Sequence, residues 1–253
     1  MPEVVRAAFV AALEREVEPL VARWEKFQLG GDGTSFPAFR SRANYKSGEA
    51  VLCCAGTGVI RAETATSALL AAFAPEIVIS IGFAGATAPE LRAGDVVIPA
   101  QVLCAATGER IATAFGHGAI ATLNEVAGCE RKVRFWDRDR ISAVEMEAAG
   151  AARASKQAGV RFSAIKAVSD ELDDDTEFVA PFVRPEGFDT PGFLKYIGVR
   201  PKLWPAVARL KRNSELASSA LCKVVEGYLS APEEFRAAAI AAGRRESAGV
   251  HVV

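Results

Sequence analysis

Two apolar segments of this chain each end in carboxylates. Ala143-Val144 runs into Glu145-Met146-Glu147, and Ala164-Ile165-Lys166-Ala167-Val168 into Ser169-Asp170. Such segments read as strands buried on both faces, which restricts the chain to a helix-covered sheet. Burial disfavours charge, so a carboxylate where an apolar strand leaves the core takes its proton affinity from its surroundings. Two such exits close in sequence predict a site that binds hydroxyls and moves a proton.

The rest of the chain repeats the pattern. Val4 to Leu13 is apolar apart from Arg6 and has strand length. Val17, Leu20, Val21 and Trp24 recur at helical spacing and predict a helix over 14–27. Gly30, Gly31 and Gly33 predict a turn, with strands over 36–42 and 50–54. Ala55-Gly56-Thr57-Gly58 opens an alanine-rich helix to Phe73, Pro75 ends it, and Ile77 to Ile81 is a β-branched strand. A glycine-rich loop and a strand over Asp95 to Leu103 follow, and helices then alternate with strands to Asp170. This alternation predicts an α/β fold of three layers, a mixed twisted sheet flanked by helices. Ligands gather at the carboxyl ends of strands in such sheets, here the loops after Ala12, Ile81, Val144 and Val168.

The segment after Ala180 differs. It carries Pro181, Pro185, Pro191, Pro201 and Pro205, then two helix-like stretches, with seven basic residues against Glu215 alone between Lys195 and Lys223. The expected organisation is a catalytic core over 1–178 and a helical extension of the same domain over 179–253.

Composition excludes several classes. A net charge of -1 over 253 residues argues against a nucleic-acid partner. No apolar run approaches the roughly 20 residues that span a bilayer. Arg6, Glu14, Arg15, Glu16 and Glu18 rule out a signal peptide in the first twenty residues. Five cysteines without CxxC spacing fit a reducing cytoplasm. His117 and His251 are too far apart in sequence to suggest a metal, so neither metal nor cofactor is expected. The acidic run Asp170, Glu171, Asp173, Asp174, Asp175, Glu177 lacks the spacing of a calcium loop and reads as a solvated loop.

Four blocks carry a resemblance: Ala11 to Val17, Gly82-Phe83-Ala84-Gly85 with Leu91 to Val97, Val144-Glu145-Met146-Glu147, and Val168-Ser169-Asp170. In this order they resemble the purine nucleoside phosphorylase and uridine phosphorylase superfamily, and within it most the methylthioadenosine/S-adenosylhomocysteine nucleosidases. The resemblance implies that Asp170 protonates purine N7, that Glu16 activates the attacking water, and that Glu147 grips the ribose hydroxyls with Met146 against the sugar. It also implies a nucleoside-contacting role for Ser169, Gly82 and Phe83. Val126 would stand where an aromatic ring usually stacks on the base. Glu145 has a structural or a site role. A homodimer is implied by the same analogy.

Three departures qualify this. Phosphorylases of the superfamily carry an arginine before the glycine loop; Ile79-Ser80-Ile81 has none, which favours water over phosphate as nucleophile. Phe83 replaces a small hydroxyl residue, and the stretch Lys202 to Arg212 joins a basic face to Trp204 and Leu210. Together these resemble the hopanoid-associated phosphorylase-like proteins, which release adenine from adenosylhopane, and suggest peripheral contact with an anionic membrane. The leading expectation is a nucleosidase acting on a 5′-modified adenine nucleoside. The alternatives are a phosphorylase that holds phosphate through a residue such as Arg61, an adenosylhopane-cleaving enzyme, and a silent nucleoside-binding protein.

Overall fold

The computed structural model describes residues 5–31, 34–41, 45–46 and 48–247. Its strands are β1 (Val5–Ala11), β2 (Glu25–Gly31), β3 (Thr34–Arg40), β4 (Glu49–Cys54), β5 (Ile77–Ala86), β6 (Val96–Val97), β7 (Gln101–Cys104), β8 (Arg110–Ala112), β9 (Ala119–Thr122), β10 (Ala143–Glu145) and β11 (Arg161–Asp170), with a separate hairpin of β12 (Val183–Arg184) and β13 (Gly187–Phe188). The helices are α1 (Glu14–Val21), α2 (Val59–Phe73), α3 (Cys129–Asp139), α4 (Ala148–Gln157), α5 (Thr190–Gly198), α6 (Trp204–Ser230) and α7 (Pro232–Ser247). The main sheet runs β2-β3-β4-β1-β5-β10-β9-β7-β8, with β11 beside β5 and β6 beside β11.

The sheet is mixed and its three layers follow from side-chain alternation. Along β1, Ala8 and Val10 face a core completed by Ala65 and Leu69 of α2 and Ala148 to Ala152 of α4. Ala7, Phe9 and Ala11 face the opposite core, closed by Val17 and Leu20 of α1 and by Ala217, Leu221 and Val225 of α6. On α6, Asn213, Ala217, Leu221, Val225 and Tyr228 recur at helical spacing and form its buried stripe. α6 thus covers one face of the sheet.

β5 is parallel to β1 only as far as Ser80, and picks up antiparallel β10 at Gly85 and Ala86. The sheet therefore opens between the end of β1 and β10. Gly82, at φ 143°, lies where β5 parts from β1.

Four expectations are corrected. The helix expected over 14–27 stops at Val21, and Glu25–Gly31 is β2, antiparallel to β3. Phe27 and Leu29 turn inward while Lys26 and Gln28 are exposed, a period of two. Gly30 and Gly31 are strand residues; Gly33 and residue 42 of the expected strand, like Val4 and His251, lie outside the described residues. The strand over Asp95 to Leu103 is split into β6 and β7, because Pro99 has no N–H to continue a ladder. The glycine loop after Ile81 is the second half of β5, paired with β11 through Gly85.

Candidate active site

A cavity of about 720 Å³ opens where β1, β5, β10 and β11 end. Glu16, Phe83, Val126, Met146, Glu147, Ser169 and Asp170 all line it. Three carboxylates from distant parts of the chain, Glu16, Glu147 and Asp170, thus face one space. Gly82 lies behind Glu16 instead of lining the cavity: a Cβ there would stand 2.9 Å from Glu16 Oε2. Its role is to let that carboxylate approach the strand.

Glu16 sits in the first turn of α1, where its Oε2 accepts from the Leu13 N–H at 3.4 Å. Its backbone carbonyl accepts from Ser218 Oγ of α6 at 3.0 Å. Burial raises its pKa above 4.5, against the opposing pull of Lys166. Glu147 accepts from the Gly58 N–H at 3.0 Å, the position before α2. Burial pushes its pKa up to about 8; Lys166 opposes this, while Glu145 and Glu16 add to it. Two carboxylates beside the same space therefore hold protons more tightly than ordinary glutamates.

Glu145 is structural in this arrangement. Its Oε2 accepts from the N–H groups of Glu147 at 3.0 Å and Ala148 at 2.8 Å, holding the start of α4. Thr122 Oγ1 donates to its other oxygen, and Lys166 Nζ lies 2.9 Å from Oε2 in an ion pair with both side chains fully buried. Lys166 is kept cationic by Glu145, Glu147 and Glu16 in spite of its burial, which by itself lowers the pKa; the net direction is upward.

Asp170 ends β11, and Ser169 Oγ donates to its Oδ1 at 2.9 Å. Lys132 of α3 forms an ion pair with its Oδ2. The acidic loop that follows is pinned, not merely solvated. Asp174 is buried, accepts from the Glu171 N–H at 2.9 Å, and pairs with Arg209 Nε of α6 at 2.7 Å. The Glu171 carboxylate accepts from the Ala93 N–H at 3.2 Å.

Much of the remaining lining is apolar. Leu13, Val179, Val183, Phe188, Phe193 and Leu210 belong to it. Phe182, Phe188 and Phe193 pack edge-on or tilted with centroids 5.2–6.4 Å apart, which holds this wall in place. Sequence reasoning missed these residues, and also Lys132 and Lys166. The apolar setting of Lys166 within Ala164 to Val168 was the available signal for a buried cation; nothing local marked Lys132. Arg61, the expected alternative phosphate holder, is not among the cavity residues: its Nε donates to the Ala55 carbonyl at 2.7 Å and its guanidinium lies over Phe36.

The signature of the phosphorylase superfamily matches residues 6–116 and 102–186. A 5′-methylthioadenosine/S-adenosylhomocysteine nucleosidase of Geobacillus kaustophilus is 30% identical over 205 residues, 66% of this chain and 84% of that protein. The corresponding nucleosidase of Actinobacillus succinogenes is 30% identical over 203 residues, 67% of this chain and 87% of its own. Among solved structures, the Neisseria meningitidis nucleosidase in complex with methylthio-immucillin-A superposes with a TM-score of 0.64 at 21% identity, over 88% of this chain and 97% of that one. Futalosine hydrolase of Helicobacter pylori gives 0.60 at 18% identity, over 86% and 97%. A mixed sheet between two helical layers, carboxylates at the ends of its strands and a match through most of the chain agree on one conclusion: the protein belongs to the phosphorylase superfamily.

Proposed function

We propose that the protein hydrolyses the N-glycosidic bond of a 5′-modified adenine nucleoside and releases adenine. The observation that carries this reading is that Glu16, Glu147 and Asp170 face one cavity. Similarity to nucleosidases acting on methylthioadenosine and adenosylhomocysteine supports the substrate class.

Breaking this bond leaves oxocarbenium character on the ribose and negative charge on the base. The Glu147 carboxyl hydrogen-bonds the ribose hydroxyls and fixes the geometry of the sugar. Asp170 delivers a proton to purine N7, so the base departs neutral. Glu16, with a raised proton affinity, takes a proton from water on the opposite face, as the base does in inverting glycosidases. Met146 packs on the sugar, while Val126 and Phe83 flank base and ribose.

Water is the nucleophile in this proposal, because Arg61 is held by backbone and aromatic contacts and Ser80 brings no charge. Incubation with methylthioadenosine, adenosylhomocysteine, adenosine and inosine, with and without phosphate, tests it. Adenine should appear from the first two without phosphate; strict phosphate dependence would make the protein a phosphorylase. Asp170→Asn should cut turnover by about 10² or more and leave nucleoside binding intact.

A second reading, favoured by the apolar residues Val179, Val183, Phe188, Phe193 and Leu210 in the cavity lining, is that the 5′ group is a large lipid. Leu194, Val199 and Trp204 are exposed beside Lys195, Arg200 and Lys202, the composition of a surface that rests on anionic lipid. No helix among the described residues is long and apolar enough to cross a membrane. Co-sedimentation with phosphatidylglycerol vesicles, but not with phosphatidylcholine vesicles, is the expected result; absence of binding to both removes the lipid reading. A cytoplasmic homodimer completes the proposal, and equilibrium sedimentation checks the dimer.

A further inference from the structure

Lys132 lies in the first turn of α3, and its side chain is only 1% exposed. An ammonium taken out of water is costly unless its protons are all met. Three acceptors meet this one: Asp170 Oδ2, the Glu171 carbonyl at 2.9 Å and the Asp174 carbonyl at 3.5 Å. The neighbouring carboxylates are committed elsewhere, Asp174 to Arg209 and Asn213, and Glu171 to the Ala93 N–H. Asp170 is therefore the carboxylate bound to the ammonium. Gly85 makes the pair fit, since a Cβ there would stand 2.6 Å from Asp170 Oδ2 and 3.0 Å from Lys132 Cε.

In an ion pair the shared proton sits on the amine, yet the reading above needs Asp170 to protonate the base. We propose that the proton leaving with the base originates on the Lys132 ammonium and reaches it through Asp170. The inference rests on that reading of Asp170. As the C1′–N9 bond breaks, its electron pair passes to the base. N7 takes a proton from the Asp170 carboxyl, which has received one from Lys132 Nζ. Water adds to C1′ and loses its proton to Glu16 and then to solvent, and the neutral Lys132 amine regains one from solvent. No net proton is consumed.

Two effects drive the transfer. A base filling the cavity expels water, which weakens an ion pair relative to its neutral form. Negative charge growing on the base repels the anionic carboxylate and raises its proton affinity. Lys132 acts through Asp170 and is a positioning residue for the leaving group.

The leaving group supplies the test. Methylthioadenosine needs N7 protonation; 4-nitrophenyl 5-methylthio-riboside does not, because nitrophenolate departs as a stable anion. Lys132→Arg keeps the cation but cannot release its proton. At pH 8 it should lower kcat on methylthioadenosine by about 10² and change kcat on the nitrophenyl riboside by less than about threefold. Lys132→Met removes the cation and lets Asp170 take a proton from solvent, so kcat on methylthioadenosine should recover as pH falls from about 8 to about 6 while kcat on the nitrophenyl riboside changes by less than about threefold, which keeps the test if arginine does not fit. A merely structural lysine would depress both substrates alike, and that result overturns the relay. So does full methylthioadenosine activity in Lys132→Arg. Asp170→Asn separates the two ideas. If it leaves methylthioadenosine turnover intact, the site reading itself is wrong. If it abolishes turnover while Lys132→Arg does not, only the relay is.

Discussion

At the scale of single residues, burial and charge are in open conflict in the carboxylate group around Lys166. Glu147 has a pKa of about 8 against an ordinary 4.5, chiefly because burial disfavours its anion. Between these values the folded protein binds more protons than the unfolded chain, so stability must fall as pH rises from 4.5 to about 8 and then level off. Glu16, shifted the same way, adds to the slope. Thermal melts of the ligand-free protein should therefore be higher at pH 5 than at pH 8, and Glu147→Gln should flatten the difference; an unchanged slope would mean Glu147 is ionised in the fold. Glu145 is a buried carboxylate with both oxygens partnered. Glu145→Gln leaves Lys166 short of its charge partner and should cost about 3–5 kcal/mol, read from the denaturant midpoint.

At the scale of elements, α4 is built from small residues because it must lie almost against α2. A Cβ at Gly150 would stand 2.0 Å from the Val59 carbonyl oxygen. Gly150→Ala gains about 1 kcal/mol of helix propensity. Forcing the helices apart costs about 1–3 kcal/mol and wins. A lowered unfolding midpoint is expected; a raised one would show that the helices have room. The contact bears on the cavity, since the residues before α2 and α4 are Gly58 and Glu147, joined by the hydrogen bond that orients the cavity-lining carboxylate. On the other face α6 does the same for Glu16 through Ser218. Each helix buries an apolar or small-residue stripe and in doing so fixes one acid.

At the scale of the whole molecule, the cavity joins carboxylates at the strand ends to a lining from the 179–230 segment that includes Val179, Val183, Phe188, Phe193 and Leu210. Its volume of about 720 Å³ lies well up the roughly 300–1,000 Å³ range of small-molecule sites. A series of 5′-alkylthioadenosines should keep or raise kcat/KM as the alkyl chain lengthens from methyl to hexyl; a steep fall would show that this apolar lining is closed off in solution. The strands ending at Ala11, Glu145 and Asp170 were legible in the sequence, because a strand buried on both faces must be apolar and its exit is marked by the first charge. Glu147 and Asp170 were legible for the same reason, whereas Glu16, in the first turn of α1, was singled out only by the family resemblance. β2 was misread as helix, since Val17, Leu20, Val21 and Trp24 set a helical period that a short amphipathic strand then overrides. Lys132 and the aromatic wall around Phe193 had no local signal at all. The sequence by itself determined the layered sheet and the acids at its strand ends, because burial acts on each segment separately and leaves a period in it. Which partner each acid meets was decided only by the tertiary structure: Lys132 for Asp170, Gly58 for Glu147 and Ser218 for Glu16. Those contacts join residues far apart in the chain, and no local pattern encodes them.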